Sequence, residues 1–127
     1  MGVLMRPFSL IVAILAAISC GPAGAQQDVK SANFYMPYCR DVALSNFSSN
    51  NMGESQGEHL FKMGMCVGTI NGISYMSKSR ICPPPAVTPE QATRVVLQYI
   101  DQRPAMMNEN FGRLAFEALQ SAWPCQR

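Results

Sequence analysis

The residues with the greatest chemical capacity in this 127-residue sequence are five cysteines and a single histidine. No two cysteines are spaced C-x-x-C, so thioredoxin-like exchange has no motif to use. Their spacings match no zinc site either. His59 has no Asp or Glu at a spacing that would orient it beside a nucleophile, so it reads as a surface or helix-start residue rather than a catalytic base. Met63-x-Met65 and Met106-Met107 carry thioethers, which suit Cu(I), but one His and no dense Met run make them core filling. Gly64, Gly68 and Gly72 lack the strand–loop–helix context of a phosphate loop. No catalytic, cofactor-binding or metal-binding residue is assigned, and no cofactor is expected. What remains is disulfide chemistry, which requires an oxidising compartment.

The amino terminus points to one. Arg6 precedes the uncharged run Phe8 to Ile18, then come Gly21, Pro22 and the cleavage-type sequence Ala23-Gly24-Ala25. A run this short fits a secretory signal better than a membrane span, which needs about 20 residues. Residues 1–25 are therefore expected to be a signal peptide that carries Cys20 away. The alternative is lipidation at Cys20, in a poor lipobox, which would hang the same domain from a membrane. Residues 26–33 read as a flexible leader and 34–127 as one helical domain. The mature chain keeps nine Lys/Arg against eight Asp/Glu, a net charge of +1 with no basic stripe for nucleic acid.

Four elements must position the remaining cysteines. A first helix is expected from about Phe34 to Phe47, with Pro37 in its first turn. Ser48 to Gly57 is a loop rich in Ser, Asn and Gly. A second helix is expected from about Glu58 to Ser77. Its apolar residues cover most of the circumference, which predicts a central helix, the least exposed of all. Gly64, Gly68 and Gly72 make a shallow ridge on it, and close packing against a neighbouring helix or a second subunit is expected there. Cys82-Pro83-Pro84-Pro85 forms a stiff connector. Thr88 is an N-cap, Pro89 sits at N1 and Gln91 completes a capping box at N3 of the third helix. A fourth helix starts near Pro104 or Ala105 and ends at Pro124. The expected class is all-α: two antiparallel helical hairpins stapled by two disulfides.

Four cysteines allow three pairings. Cys66 and Cys82 are 16 residues apart, mostly helical, hence roughly 20 Å, too far to bridge. An antiparallel hairpin turning near Gly53 sets Cys39, 14 residues before, opposite Cys66, 13 after. A second hairpin turning near Arg103 brings Cys82, 21 before, to Cys125, 22 after. The expected links are Cys39–Cys66 and Cys82–Cys125.

Four segments then carry a resemblance. Gly64-Met65-Cys66-Val67-Gly68-Thr69-Ile70-Asn71-Gly72 is the first. Cys82-Pro83 followed by Val87-Thr88-Pro89-Glu90-Gln91 is the second. Val95 to Ile100 with Arg103-Pro104 is the third, and Ala118 to Cys125 the fourth. In this order they resemble the Rap/Tai family of immunity proteins linked to type VI secretion. Arg103 stands where His is common, and Trp123 where Phe is common.

The resemblance implies a small periplasmic helical protein, often a homodimer, that is not an enzyme. It implies binding to a cell-wall-degrading amidase toxin, whose cleft it covers. The competing reading is a periplasmic stress or chaperone-like helical protein without a cognate toxin. The longest polar loop is the candidate partner-binding segment, through Asn50, Asn51, Met52, Glu54 and Gln56, because loops carry recognition on a rigid scaffold.

Overall fold

The computed structural model describes residues 28–45 and 54–126. Four α-helices build the domain: α1 (Ala32–Ala43), α2 (Gln56–Met76), α3 (Pro89–Asp101) and α4 (Phe111–Ala122), with a 3-10 turn at Pro104–Met106. Among the described residues there are only two isolated β-bridges, Ser31 with Asn110 and Ile81 with Pro124. α1 packs against α2 and α3, and α4 closes the bundle against α3 and α2. The all-α class and both expected disulfides are present. Cys39–Cys66 ties α1 to α2 with Cα atoms 5.6 Å apart, and Cys82–Cys125 ties the connector to the segment after α4 at 4.9 Å.

α3 begins as its sequence dictates. The Thr88 hydroxyl accepts from the Gln91 N–H at 3.2 Å, and the Gln91 side chain accepts from the Thr88 N–H at 2.9 Å. Its own backbone N–H, and then the Thr88 hydroxyl, hold the Glu90 carboxyl below the ordinary carboxylate range. A depressed carboxyl stabilises the fold above that range, and the contribution fades as pH falls through it. Ala92, Val96, Leu97 and Ile100 enter the core, where Phe111, Leu114, Ala115, Ala118 and Leu119 of α4 meet them. The Arg94 guanidinium, in the first half of α3, donates to the Ala43 carbonyl at 2.9 and 3.2 Å, which satisfies a terminal carbonyl of α1.

Two boundaries differ from expectation. α1 starts at Ala32, ahead of Phe34, so Pro37 lies inside the helix instead of in its first turn. The start is fixed from outside: Ala32 N–H donates to Glu109 O and Asn33 N–H to Met107 O, both at 2.9 Å. α4 starts at Phe111, later than Pro104. The polypeptide makes a 3-10 turn, breaks, and restarts where the Asn110 side chain accepts from the Arg113 N–H at 3.1 Å.

The larger correction concerns α2. It is not the least exposed element. It fully buries one stripe, His59, Met63, Cys66 and Ile70, packs Ile73 partly against the core, and leaves Leu60, Phe61, Tyr75 and Met76 exposed. A Cβ placed on Gly64, Gly68 or Gly72 would meet nothing within 4 Å, so among the described residues no helix packs on the ridge. The Cys39 link explains the orientation. It turns Cys66 inward, and Gly64, Gly68 and Gly72, two positions from Cys66 or six beyond, then fall on other sides of the helix. The close glycine approach is at Gly112 of α4, where a Cβ would lie 3.3 Å from the capping Asn110 Oδ1 and 3.8 Å from Ile73 Cδ1. Gly68→Ala is accordingly expected to stabilise the chain, by about 0.5–1 kcal/mol, through helix propensity with no steric cost. Urea unfolding of the two proteins measures this, and a loss of stability would show that the ridge is covered.

Candidate partner-binding surface

The polar chemistry of the molecule gathers where α1 and the start of α2 face each other. His59 sits one turn into α2 and is 1 % exposed. Its Nδ1 lies 3.3 Å from Glu54 Oε2, and its Nε2 lies 3.1 Å from Asp41 Oδ2 on α1. The Nε2 contact is an ion-pair distance whose angle falls outside hydrogen-bond range. The Tyr38 ring stands edge-on to the imidazole at 5.5 Å. Lys62 reaches Glu54 Oε1 at 2.6 Å and Glu58 Oε1 at 2.9 Å, and its ammonium lies 5.2 Å from the centre of the Tyr38 ring. Glu54, and then Glu58, hold that ammonium well above its ordinary range. Lys62 is therefore a fixed cation at every physiological pH.

Of the reading of His59 as a surface or helix-start residue, the helix start holds, since it is the fourth residue of α2, but the surface position and the lack of carboxylate partners are corrected. One partner comes from across the hairpin and the other from the turn before the helix, and no local spacing announces either. The cluster can brace and orient, since a carboxylate oxygen lies within 3.3 Å of each ring nitrogen.

The five candidate contact residues separate into groups. Asn50, Asn51 and Met52 lie outside the described residues. Glu54 belongs to the brace, its side chain only 10 % exposed between Lys62 and His59. Gln56 is the first residue of α2, and with Gly57 it is helix rather than loop, because the Ser55 hydroxyl caps the Glu58 N–H. Two grooves mark the surface, one beside these elements and one away from them. One of about 320 Å³ is lined by Val42, Leu60, Met63, Gly64, Val67 and Glu90. The other, of about 500 Å³, lies between Trp123 and the proline connector, with Val87, Val95 and Arg94 on its wall. Neither groove was singled out by sequence, because each joins residues of separate elements.

The sequence matches the family model of Rap1a immunity proteins over residues 19–125. The chain belongs to that family. No curated protein matches the sequence. Within this Rap1a chain the four recognised segments have different structural work. Val95 to Ile100 supplies the α3 core, and Arg103 lies over the Tyr99 ring at 3.7 Å while donating to the Tyr99 carbonyl. Ala118 to Cys125 supplies the α4 core and one end of a disulfide. Cys82 anchors the other end, and Thr88 to Gln91 starts α3. In the glycine segment of α2, Cys66 and Ile70 enter the core while Gly64, Gly68 and Gly72 have open space above them.

Proposed function

We propose that this protein is exported, loses residues 1–25, and protects the cell as a periplasmic immunity protein against a peptidoglycan-degrading amidase delivered by type VI secretion. Membership of the Rap1a immunity protein family over residues 19–125 carries the reading. The two disulfides support it, because such links persist in an oxidising compartment. The mechanism is occlusion: a preformed surface covers the toxin's cleft, and a pre-stapled scaffold loses little conformational freedom on binding.

The test is co-expression. An amidase effector from the same genome, targeted to the periplasm, should lyse cells alone and spare them when the full chain is made. A copy lacking residues 1–25, held in the cytoplasm, should not protect. Replacement of residues 49–53 by Gly/Ser tests the candidate loop while leaving Glu54 in its brace, and loss of protection with an unchanged melting temperature is the expected result. Absence of binding to every effector of the strain would reject the immunity reading and favour the stress-protein alternative.

A further inference from the structure

The two disulfides differ in what can reach them. Cys39 and Cys66 are both 0 % exposed, so a thiol from outside meets their sulfurs only when the bundle opens. Cys82 is exposed and Cys125 half-buried, so the second link stands at the surface of the closed fold. A recess of about 400 Å³ lies beside it, with Cys125 on one wall and Ser79, Arg80, Gln120, Pro124 and Gln126 on the others. Arg80 is the one charged side chain among the described residues of that lining, and its guanidinium rests over the Phe116 ring at 4.6 Å.

The surroundings also suit an open link. The Lys78 carbonyl oxygen lies 3.7 Å from the Cys82 sulfur and 3.6 Å from the Cys125 sulfur, so it can accept the S–H of either thiol. The Cys82 N–H donates to the Trp123 carbonyl at 2.8 Å, beside the bridge that pairs Ile81 with Pro124. Ile81 is buried, and Trp123 packs against the core. These contacts hold the two segments side by side with or without the covalent bond. Separated sulfurs therefore stay within reach of each other.

We propose that Cys82–Cys125 is a thiol-exchange site on the folded protein, opened and closed by a dithiol protein that presents its reactive cysteine from a negatively charged surface. Access selects this link over the inner one. Arg80 selects the partner's charge, because it is the cation that an incoming thiolate and its surroundings meet in the recess. The donor thiolate attacks Cys125 Sγ, and a donor–Cys125 disulfide forms. The bond to Cys82 breaks with its electron pair on Cys82 Sγ, which takes a proton from water. The donor's second thiolate then attacks the donor sulfur of the mixed disulfide, closes the donor's own disulfide, and releases Cys125 Sγ, which is protonated in turn. Two electrons pass from the dithiol to the cysteine pair, and the reverse sequence closes the link. The exchange is independent of the immunity reading and is measured on free protein without toxin.

Small thiols of opposite charge test it. Oxidised full-length protein, incubated without denaturant in 2-mercaptoethanesulfonate, an anion, should release thiols at Cys82 and Cys125 only. Cys39–Cys66 should stay closed until urea is added, and the circular dichroism spectrum should not change. Acid quenching at early times, followed by peptide mapping, should place the mixed disulfide on Cys125. The rate with mercaptoethanesulfonate is then divided by the rate with cysteamine, a cation, which cancels changes in the disulfide's own reactivity. Arg80→Gln should lower that ratio by about threefold or more at low salt, with the difference fading at high salt. Arg113→Gln, at the far end of α4, removes the same charge and should leave the ratio unchanged. An outer link that opens only in urea, equal opening of both links, an adduct on Cys82, or an unchanged ratio in Arg80→Gln would each overturn the proposal.

Discussion

Replacing Cys39 and Cys66 together by serine is expected to destabilise the protein more than replacing Cys82 and Cys125, although the first pair closes the shorter loop. Chain entropy alone gives the opposite order. A separation of 27 residues is worth about 3.6 kcal/mol, and one of 43 residues about 4 kcal/mol. Burial reverses it. Cys39 and Cys66 are both 0 % exposed within the core, whereas Cys82 lies at the surface. Serine at the inner positions adds two hydroxyls without assured partners, each costing roughly 1 kcal/mol or more. The inner pair should therefore lose about 5–6 kcal/mol and the outer pair about 4. Whole-domain stabilities run at about 5–15 kcal/mol, so the inner variant approaches the unfolded state. Equilibrium urea unfolding decides the order. If the costs follow loop length instead, the buried-hydroxyl argument fails.

The pairing of those cysteines was legible because it rests on chain lengths that helices convert into distances. Turns expected from the sequence near Gly53 and Arg103 are enough to bring the right sulfurs together. The start of α3 was legible for a different reason: Thr88, Pro89 and Gln91 satisfy one another locally and need no partner from elsewhere. α2 was misread because counting apolar residues around a helix tells how much could be buried, not how much neighbouring surface exists to bury it. The Cys66 link assigns the inner stripe, and Phe61, Tyr75 and Met76 are left out. The late start of α4 was hidden because Pro104 and Ala105 are good helix openers, while the bridge from Ser31 to Asn110 that fixes the true start joins distant segments. His59 was missed on the same grounds. Its environment is made by Asp41 on another helix, and nothing in the residues near position 59 encodes that approach.

Substitution of His59 by leucine is expected to cost about 2–3 kcal/mol, although leucine fills a comparable volume and is more apolar. The imidazole is the group that stands between Asp41 and Glu54, 3.1 and 3.3 Å from their oxygens. Removing one partner of a buried charged cluster commonly costs about 3–5 kcal/mol, because the remaining charges keep their desolvation penalty. Here Asp41 retains 24 % side-chain exposure and Glu54 keeps Lys62 at 2.6 Å, so the lower figure applies. Asp41→Asn should cost less than His59→Leu, since it removes one carboxylate and leaves the other contact in place. A double-mutant cycle between His59→Leu and Asp41→Asn should return a coupling of about 1 kcal/mol or more, as contacting residues do. Additive effects would mean that the 3.1 Å approach carries no energy and that His59 is held by packing alone. Hydrogen exchange provides a second reading. The amides of the first two turns of α2 should lose protection in His59→Leu, while those of α4, braced separately by Arg113 with Glu109 and Glu117, should keep theirs. That contrast follows from where the cluster sits: it fastens the start of α2 to α1 at the point where the chain arrives from the candidate loop, so loosening it should weaken partner binding before it unfolds the bundle.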